Sequence, residues 1–150
     1  MPKFLYLLVL ILLPIAPATA EPVETLMDLV NEYREQADLP PVRLDAQLSR
    51  IAERHNSDMA ERGYFAHCSP DGDCLAERLQ EQGYQARLWA ENLAAGQATP
   101  QDVLQAWHES PAHRKNLRLR EATRAGLSID HHRSEKIASP LWTLILTRPR

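Results

Sequence analysis

Residues 106–114 read Ala106-Trp107-His108-Glu109-Ser110-Pro111-Ala112-His113-Arg114, and the reading of the chain grows outward from them. Ser followed by Pro is a helix start. The hydroxyl accepts from a free backbone N–H of the first turn, and proline at the first helical position has no N–H to leave unpaired. Ser110-Pro111 therefore opens a short helix that carries His113. Thr99-Pro100-Gln101-Asp102 is the same signal, with an acid that complements the free N–H groups. The helix it opens holds Val103, Leu104, Ala106 and Trp107, with Trp107 as core or cleft wall. Arg114 and Lys115 read as a solvated helix face.

Toward the N-terminus, Leu26, Leu29, Val30, Tyr33 and Ala37 recur at steps of three and four and predict an amphipathic helix over residues 24–36. Asp38-Leu39-Pro40-Pro41 ends it. Asp45 offers an N-cap to a second helix whose inward stripe is Leu48, Ile51, Ala52, His55 and Met59, with Gly63 as its C-cap. His55 on that stripe reads as a packed histidine rather than a ligand. A third helix is expected over residues 73–82, with Leu75 and Leu79 facing inward and Gly83 closing it. Toward the C-terminus, residues 125–129 and 141–147 read as strands, the second too apolar to be exposed on both faces. The polar stretch between them, 130–136, reads as a hairpin tip. Adjacent strand residues point to opposite faces, so His131 and His132 read as solvated rather than as a metal pair.

The whole chain has 150 residues, 44% of them apolar, with 17 basic against 20 acidic side chains and a net charge of -3. One domain is expected. No basic cluster exists, which argues against nucleic acid as a partner, since phosphate binding needs concentrated positive charge. The first twenty residues differ in kind. Lys3, an unbroken apolar run from Phe4 to Leu13, Pro14, Pro17 and then Ala18-Thr19-Ala20 have the layout of a signal peptide. The run is too short for a membrane span. Its removal takes away Lys3 alone among charged residues and moves the net charge from -3 to -4. Residues 21–150 then form a single exported domain, periplasmic or extracellular, with no membrane span. Export favours a local disulfide between Cys68 and Cys74, because Ser69-Pro70-Asp71-Gly72-Asp73 between them is built for a tight reversal. Its expected use is to fix the segment beside His67.

No HExxH, GxSxG, glycine-rich phosphate loop or CxxC is present. Instead, separated phrases stand out: Ala52-x-x-His55-x-x-Asp58-Met59, Tyr64-Phe65-Ala66-His67-Cys68-Ser69-Pro70, Ala90-Glu91-Asn92-Leu93-Ala94-Ala95-Gly96, the Trp107-to-Arg114 phrase, and Leu141-Trp142-Thr143. In this order they resemble the CAP superfamily (cysteine-rich secretory proteins, antigen 5 and pathogenesis-related proteins; SCP-like domain), in its compact secreted bacterial branch. The likeness runs from Leu26 to Thr147. It implies an α+β fold, a three-layer α-β-α sandwich around a small, mainly antiparallel sheet, with a cleft lined by two histidines and an acid. On matching positions these are His67, His113 and Glu91. Many eukaryotic members carry a second acid where this chain has Ser110; Glu109, one residue earlier, is included as a weaker candidate.

The chemistry of these groups leaves three readings open. Two facing imidazoles can hold a divalent metal such as zinc, though weakly, because a catalytic zinc takes three protein ligands and a structural one four. The resemblance implies the fold more than an activity, and the first reading is a binding or effector module whose His/Glu cleft takes a small ligand, a lipid, a cell-envelope component or a metal ion, rather than an enzyme. The alternative is a metal-assisted hydrolase of peptide or cell-wall material, with His67 and His113 as ligands and Glu91 as base. A third reading is a structural module in which the same groups form a polar network. Ser69 and Ser110 are candidate nucleophiles only if the protein is an enzyme. Glu91-Asn92 also has a plainly structural reading, with Asn92 bonding turn backbone beside close-packing small residues.

Overall fold

The computed structural model describes residues 20–150, so the expected leader, apart from its last residue, lies outside the described residues. Five helices and four strands follow in the order α1 (Ala20–Glu35), β1 (Arg43–Leu44), α2 (Ala46–Arg62), α3 (Leu75–Glu81), β2 (Ala86–Ala95), α4 (Pro100–Glu109), α5 (Pro111–Leu117), β3 (Arg124–Asp130) and β4 (Leu141–Pro149). The helix starts are where local chemistry puts them. Asp45 accepts from the N–H groups of Gln47 and Leu48, Thr99 from Asp102, and Ser110 from His113. Gly63 closes α2 in the left-handed region at φ 70°, where a β-carbon is strained. The third helix starts at Leu75 rather than at Asp73: Cys74 is its N-cap, and Glu77 reaches back to the Cys74 N–H.

The sheet has the strand order β1-β3-β4-β2, with β3, β4 and β2 antiparallel and β1 joined in parallel to β3. β4 is central and buried on both faces, as its composition requires. Trp142, Leu144 and Leu146 point into one core with Leu26 and Val30 of α1, Val103 and Trp107 of α4, and Leu117 of α5. Ile145 points the other way, against Leu48 and Ile51 of α2 and Leu75 and Leu79 of α3. The two sets define the three-layer α-β-α sandwich. Each of Leu144, Ile145 and Leu146 is at most 1% exposed, and each contributes about 1.5–3 kcal/mol by burial. α2 lies unusually close to β3, because a β-carbon on Gly126 would stand 2.3 Å from the Leu48 carbonyl carbon. Ser49 completes that contact, its hydroxyl accepting from the Leu127 N–H.

Two strands lie outside the sequence-based expectation. β1 is only two residues long. β2 is ten residues long and runs through the segment that holds Glu91 and Asn92, so Asn92 sits in mid-strand and the turn reading fails. Ala, Glu and Asn are poor strand formers, and this segment is a strand because nine of its residues pair with β4.

Candidate functional site

The loop after α2 carries His67, and the residues on either side hold it tightly. Cys68 and Cys74 form the expected disulfide. Inside that loop the Ser69 hydroxyl accepts from the N–H groups of Asp71 and Asp73, and Arg62 pairs with Asp71 at 2.8 Å. His55, packed as expected at 2% exposure, reaches the Ala66 carbonyl with Nε2 at 3.0 Å. A carbonyl only accepts, so Nε2 carries the ring proton. Burial holds His55 below the ordinary imidazole range, and the charge of Arg78 acts in the same direction. The disulfide also delivers the chain into α3, one turn of which brings Arg78 to face the sheet.

Glu91 lies opposite Ile145 across the β2–β4 pair, and so points into the layer of α2 and α3. Its side chain is 4% exposed and that of Arg78 is 7% exposed. One guanidinium nitrogen of Arg78 donates to both carboxylate oxygens, at 3.2 and 2.9 Å, and to the His67 carbonyl at 3.0 Å. Glu91 Oε1 also lies 2.9 Å from His67 Nδ1. The result is a chain, Arg78 to Glu91 to His67, that ends at an imidazole with 55% of its side chain in solvent. With Nδ1 donating to the carboxylate, Nε2 of His67 offers its lone pair outward.

His113 reaches the same strand from the other layer. Asn92 Nδ2 donates to the His113 carbonyl at 3.1 Å, and Asn116 Nδ2 donates to Glu91 O and Asn92 Oδ1 at 3.1 and 2.9 Å. Trp107 adds a fourth tie from α4, its indole N–H donating to the Leu93 carbonyl at 3.0 Å. The strand carrying Glu91 is thereby bolted to α4 and α5. Burial, and then the charge of His67, lower the His113 imidazole below its ordinary value of 6.5.

The structure brings His67 and Glu91 into contact, and it ties the backbone of His113 to Asn92, the next residue of the same strand. Glu109 does not join them; it is exposed and accepts from Gln105 one turn back on α4, as the rotation between helical neighbours dictates. The two serines are committed to backbone: Ser69 shapes the disulfide loop and Ser110 caps α5, which leaves neither hydroxyl aimed as a nucleophile. Trp107 is core at 0% exposure. Arg114 is not simply solvated, since it donates to the His108 carbonyl at 2.8 Å. His131 is exposed, and His132 bonds the Ile137 carbonyl through Nε2.

Arg78 is the member of this network that sequence reasoning missed. Its signal was present, because Leu75, Arg78 and Leu79 occupy one inward stripe of α3, and a charge on such a stripe needs a buried partner. The donor set has a clear consequence for metal binding. Among the described residues no three His, Cys, Asp or Glu side chains gather as metal ligands, and both oxygens of Glu91 already face Arg78. With that carboxylate engaged, the donors left for an ion are imidazole nitrogens.

The fold defines a class: a sandwich of helices around a small sheet, with the His67–Glu91–Arg78 network on one face of β2. The family model for the cysteine-rich secretory protein (CAP) family matches residues 27–143, and the chain belongs to that family. It is 34% identical to the uncharacterized protein YkwD of Bacillus subtilis, over 68% of this chain and 45% of that protein. It is 30% identical to the uncharacterized membrane protein YlbC of the same organism, over 70% of this chain and 30% of that one. The chain thus spans less than half the length of these relatives. Among solved structures, an extracellular SCP-domain protein of Bacillus anthracis superposes with a TM-score of 0.77 at 29% identity, covering 90% of this chain and 44% of that one. An outer surface protein of Borrelia burgdorferi shares the fold, with a TM-score of 0.77 at 20% identity over 87% of this chain and 95% of that one. No helix among the described residues is long and apolar enough to cross a membrane.

Proposed function

We propose that this CAP protein is exported by a signal peptide at residues 1–20 and works as a binding module. Its cleft presents the imidazoles of His67 and His113 to a small ligand, a cell-envelope component or a weakly held divalent ion. The observation that carries this reading is the state of Glu91. A general base must reach the proton it takes, whereas this carboxylate is 4% exposed and bonded to Arg78 on both oxygens and to His67 on one. It acts as a positioning group. It sets the ring orientation and tautomer of His67 and leaves Nε2 as the outward acceptor. That arrangement suits a recognition imidazole and gives no support to the hydrolase alternative, which needs Glu91 as base.

If a metal such as zinc is bound, His67 and His113 hold it and it supplies a Lewis-acid centre for a ligand's oxygen or nitrogen. His113, kept neutral by burial, has its lone pair available at neutral pH. Calorimetric titration of zinc into the protein lacking residues 1–20 tests the reading, repeated with His67→Ala and His113→Ala. The expected result is one site with a Kd of about 1–100 µM that is lost in both variants. Binding that survives either substitution refutes the two-histidine cleft.

A further inference from the structure

The chain has three tryptophans. Trp107 and Trp142 are 0% exposed, and Trp89 is 46% exposed. An indole left in water forgoes a large burial gain, and Trp89 takes no part in the cores that organise the sheet. It precedes Glu91 by two residues on β2 and lies opposite Thr147, so both side chains face the α3 side of the sheet. There it stands between two adjoining grooves. One, of about 320 Å³, also holds His67 and Glu91. The other, of about 380 Å³, is lined by Gln80, Tyr84, Gln85 and Arg150. The Tyr84 hydroxyl is spent on Thr147 at 3.2 Å, while Gln80, Gln85 and Arg150 are exposed. An aromatic plate is thus ringed by two amides and a guanidinium, with no carboxylate side chain among the residues lining that groove.

We propose that Trp89 is the stacking platform of a saccharide site, on which a pyranose ring lies while Gln80, Gln85 and Arg150 bond its hydroxyls. A pyranose has a face of C–H bonds and a rim of hydroxyls, and an indole with donors and acceptors around its edge matches both. An alkyl chain in the same groove would leave those three polar groups desolvated without partners, which is unfavourable. An extended peptide added along the strand edge is also disfavoured. The outward carbonyls of Glu91 and Leu93 already accept from Asn116 and Trp107. At the other end the register breaks between Ala86 and Leu88, a bulge of the kind that blunts edges. The contacts invoked are Trp89, Gln80, Gln85 and Arg150, and neither imidazole is among them.

The test uses the protein lacking residues 1–20, titrated with triacetylchitotriose as neutral probe and trigalacturonate as acidic probe. Trp107 and Trp142 are fully buried, so acrylamide-quenchable emission reports Trp89. The expected result is a blue shift and protection from acrylamide with at least one saccharide. In calorimetry Trp89→Ala should weaken that binding at least about tenfold, whereas Trp89→Phe should leave it within about threefold. An unchanged far-ultraviolet spectrum and melting curve check the fold of each variant. No response to either saccharide up to about 20 mM, or binding indifferent to Trp89→Ala, overturns the proposal. So does a response confined to a blocked Val-Thr-Val-Thr-Val peptide, which would mark strand addition. Failure of the zinc titration with saccharide binding intact refutes only the histidine cleft, and the converse refutes only this site.

Discussion

Replacing Arg78 is the sharpest probe of how the site is held. Its guanidinium nitrogen makes three contacts, to the two oxygens of Glu91 and to the His67 carbonyl. Taken singly each is a charge-assisted bond of about 1.5–3 kcal/mol, but the three share one nitrogen and do not add. The relevant quantity is the cost of leaving a carboxylate at 4% exposure without its cation, about 3–5 kcal/mol for a buried pair broken on one side. Arg78→Met keeps most of the stem volume and removes the charge, so packing contributes little to the loss. With a urea m-value of about 2 kcal/mol/M, the unfolding midpoint should fall by about 1.5–2.5 M. Glu91→Gln alone leaves Arg78 unpaired and should also destabilise. The double variant should be less damaged than the two losses combined, by about 2 kcal/mol or more of coupling. Arg78 Nε and its other terminal nitrogen are buried without partners, so the arginine carries its own desolvation cost, and this pushes the double variant further toward wild-type stability. A loss below about 1 kcal/mol for Arg78→Met, or two additive single losses, would show that Glu91 is not held by Arg78 and would remove the basis for denying it a base role.

Three further outcomes follow from other parts of the molecule. His55 and His113 both sit below the ordinary imidazole value of 6.5 in the folded protein, so the unfolded chain binds more protons in that range; their stabilisation is complete above pH 6.5 and is lost as pH falls through the folded values. Proton NMR titration of the ring signals should place both below 6.5, and His67→Ala should raise His113 only in part, since burial is the larger cause; a His113 value at or above 6.5 in the wild type refutes this. Gly126→Ala should cost at least about 1–3 kcal/mol in urea unfolding, because its β-carbon would meet Leu48 at 2.3 Å, and a neutral effect would mean that α2 can move off the sheet. Opening the disulfide with Cys68→Ser and Cys74→Ser together should cost about 2 kcal/mol, small because the loop is short, while weakening zinc binding at His67; intact mass with and without reductant should show no free thiol in the wild type.

Much of this site's frame is legible in the chain itself, and the parts that are not share a cause. The caps at Asp45, Thr99 and Ser110, the stop at Gly63 and the disulfide reversal each depend on groups within a few residues of one another, so residue type and spacing are enough to read them. β4 is legible for a related reason, because a run as apolar as Leu144-Ile145-Leu146 has no stable place except between two layers. His67, Glu91 and His113 are found through the order of their phrases. Their mutual arrangement is not encoded locally: it is made by Asn92 and Asn116 binding β2 to α5.

What the sequence by itself determined is therefore the set of helices, the central strand and the cross-link, all consequences of short-range chemistry or of hydrophobic period. The tertiary structure alone decided that Ala86–Ala95 is a strand, since its small and polar residues take that form only by pairing with β4. It alone decided that Glu109 turns away, that Ser69 and Ser110 serve the backbone, and that Trp89 stays in solvent. It also decided what faces Glu91. A carboxylate is a base, a ligand or a positioning group according to what faces it, and the residue that faces it, Arg78, comes from a different element, through a burial that only packing creates.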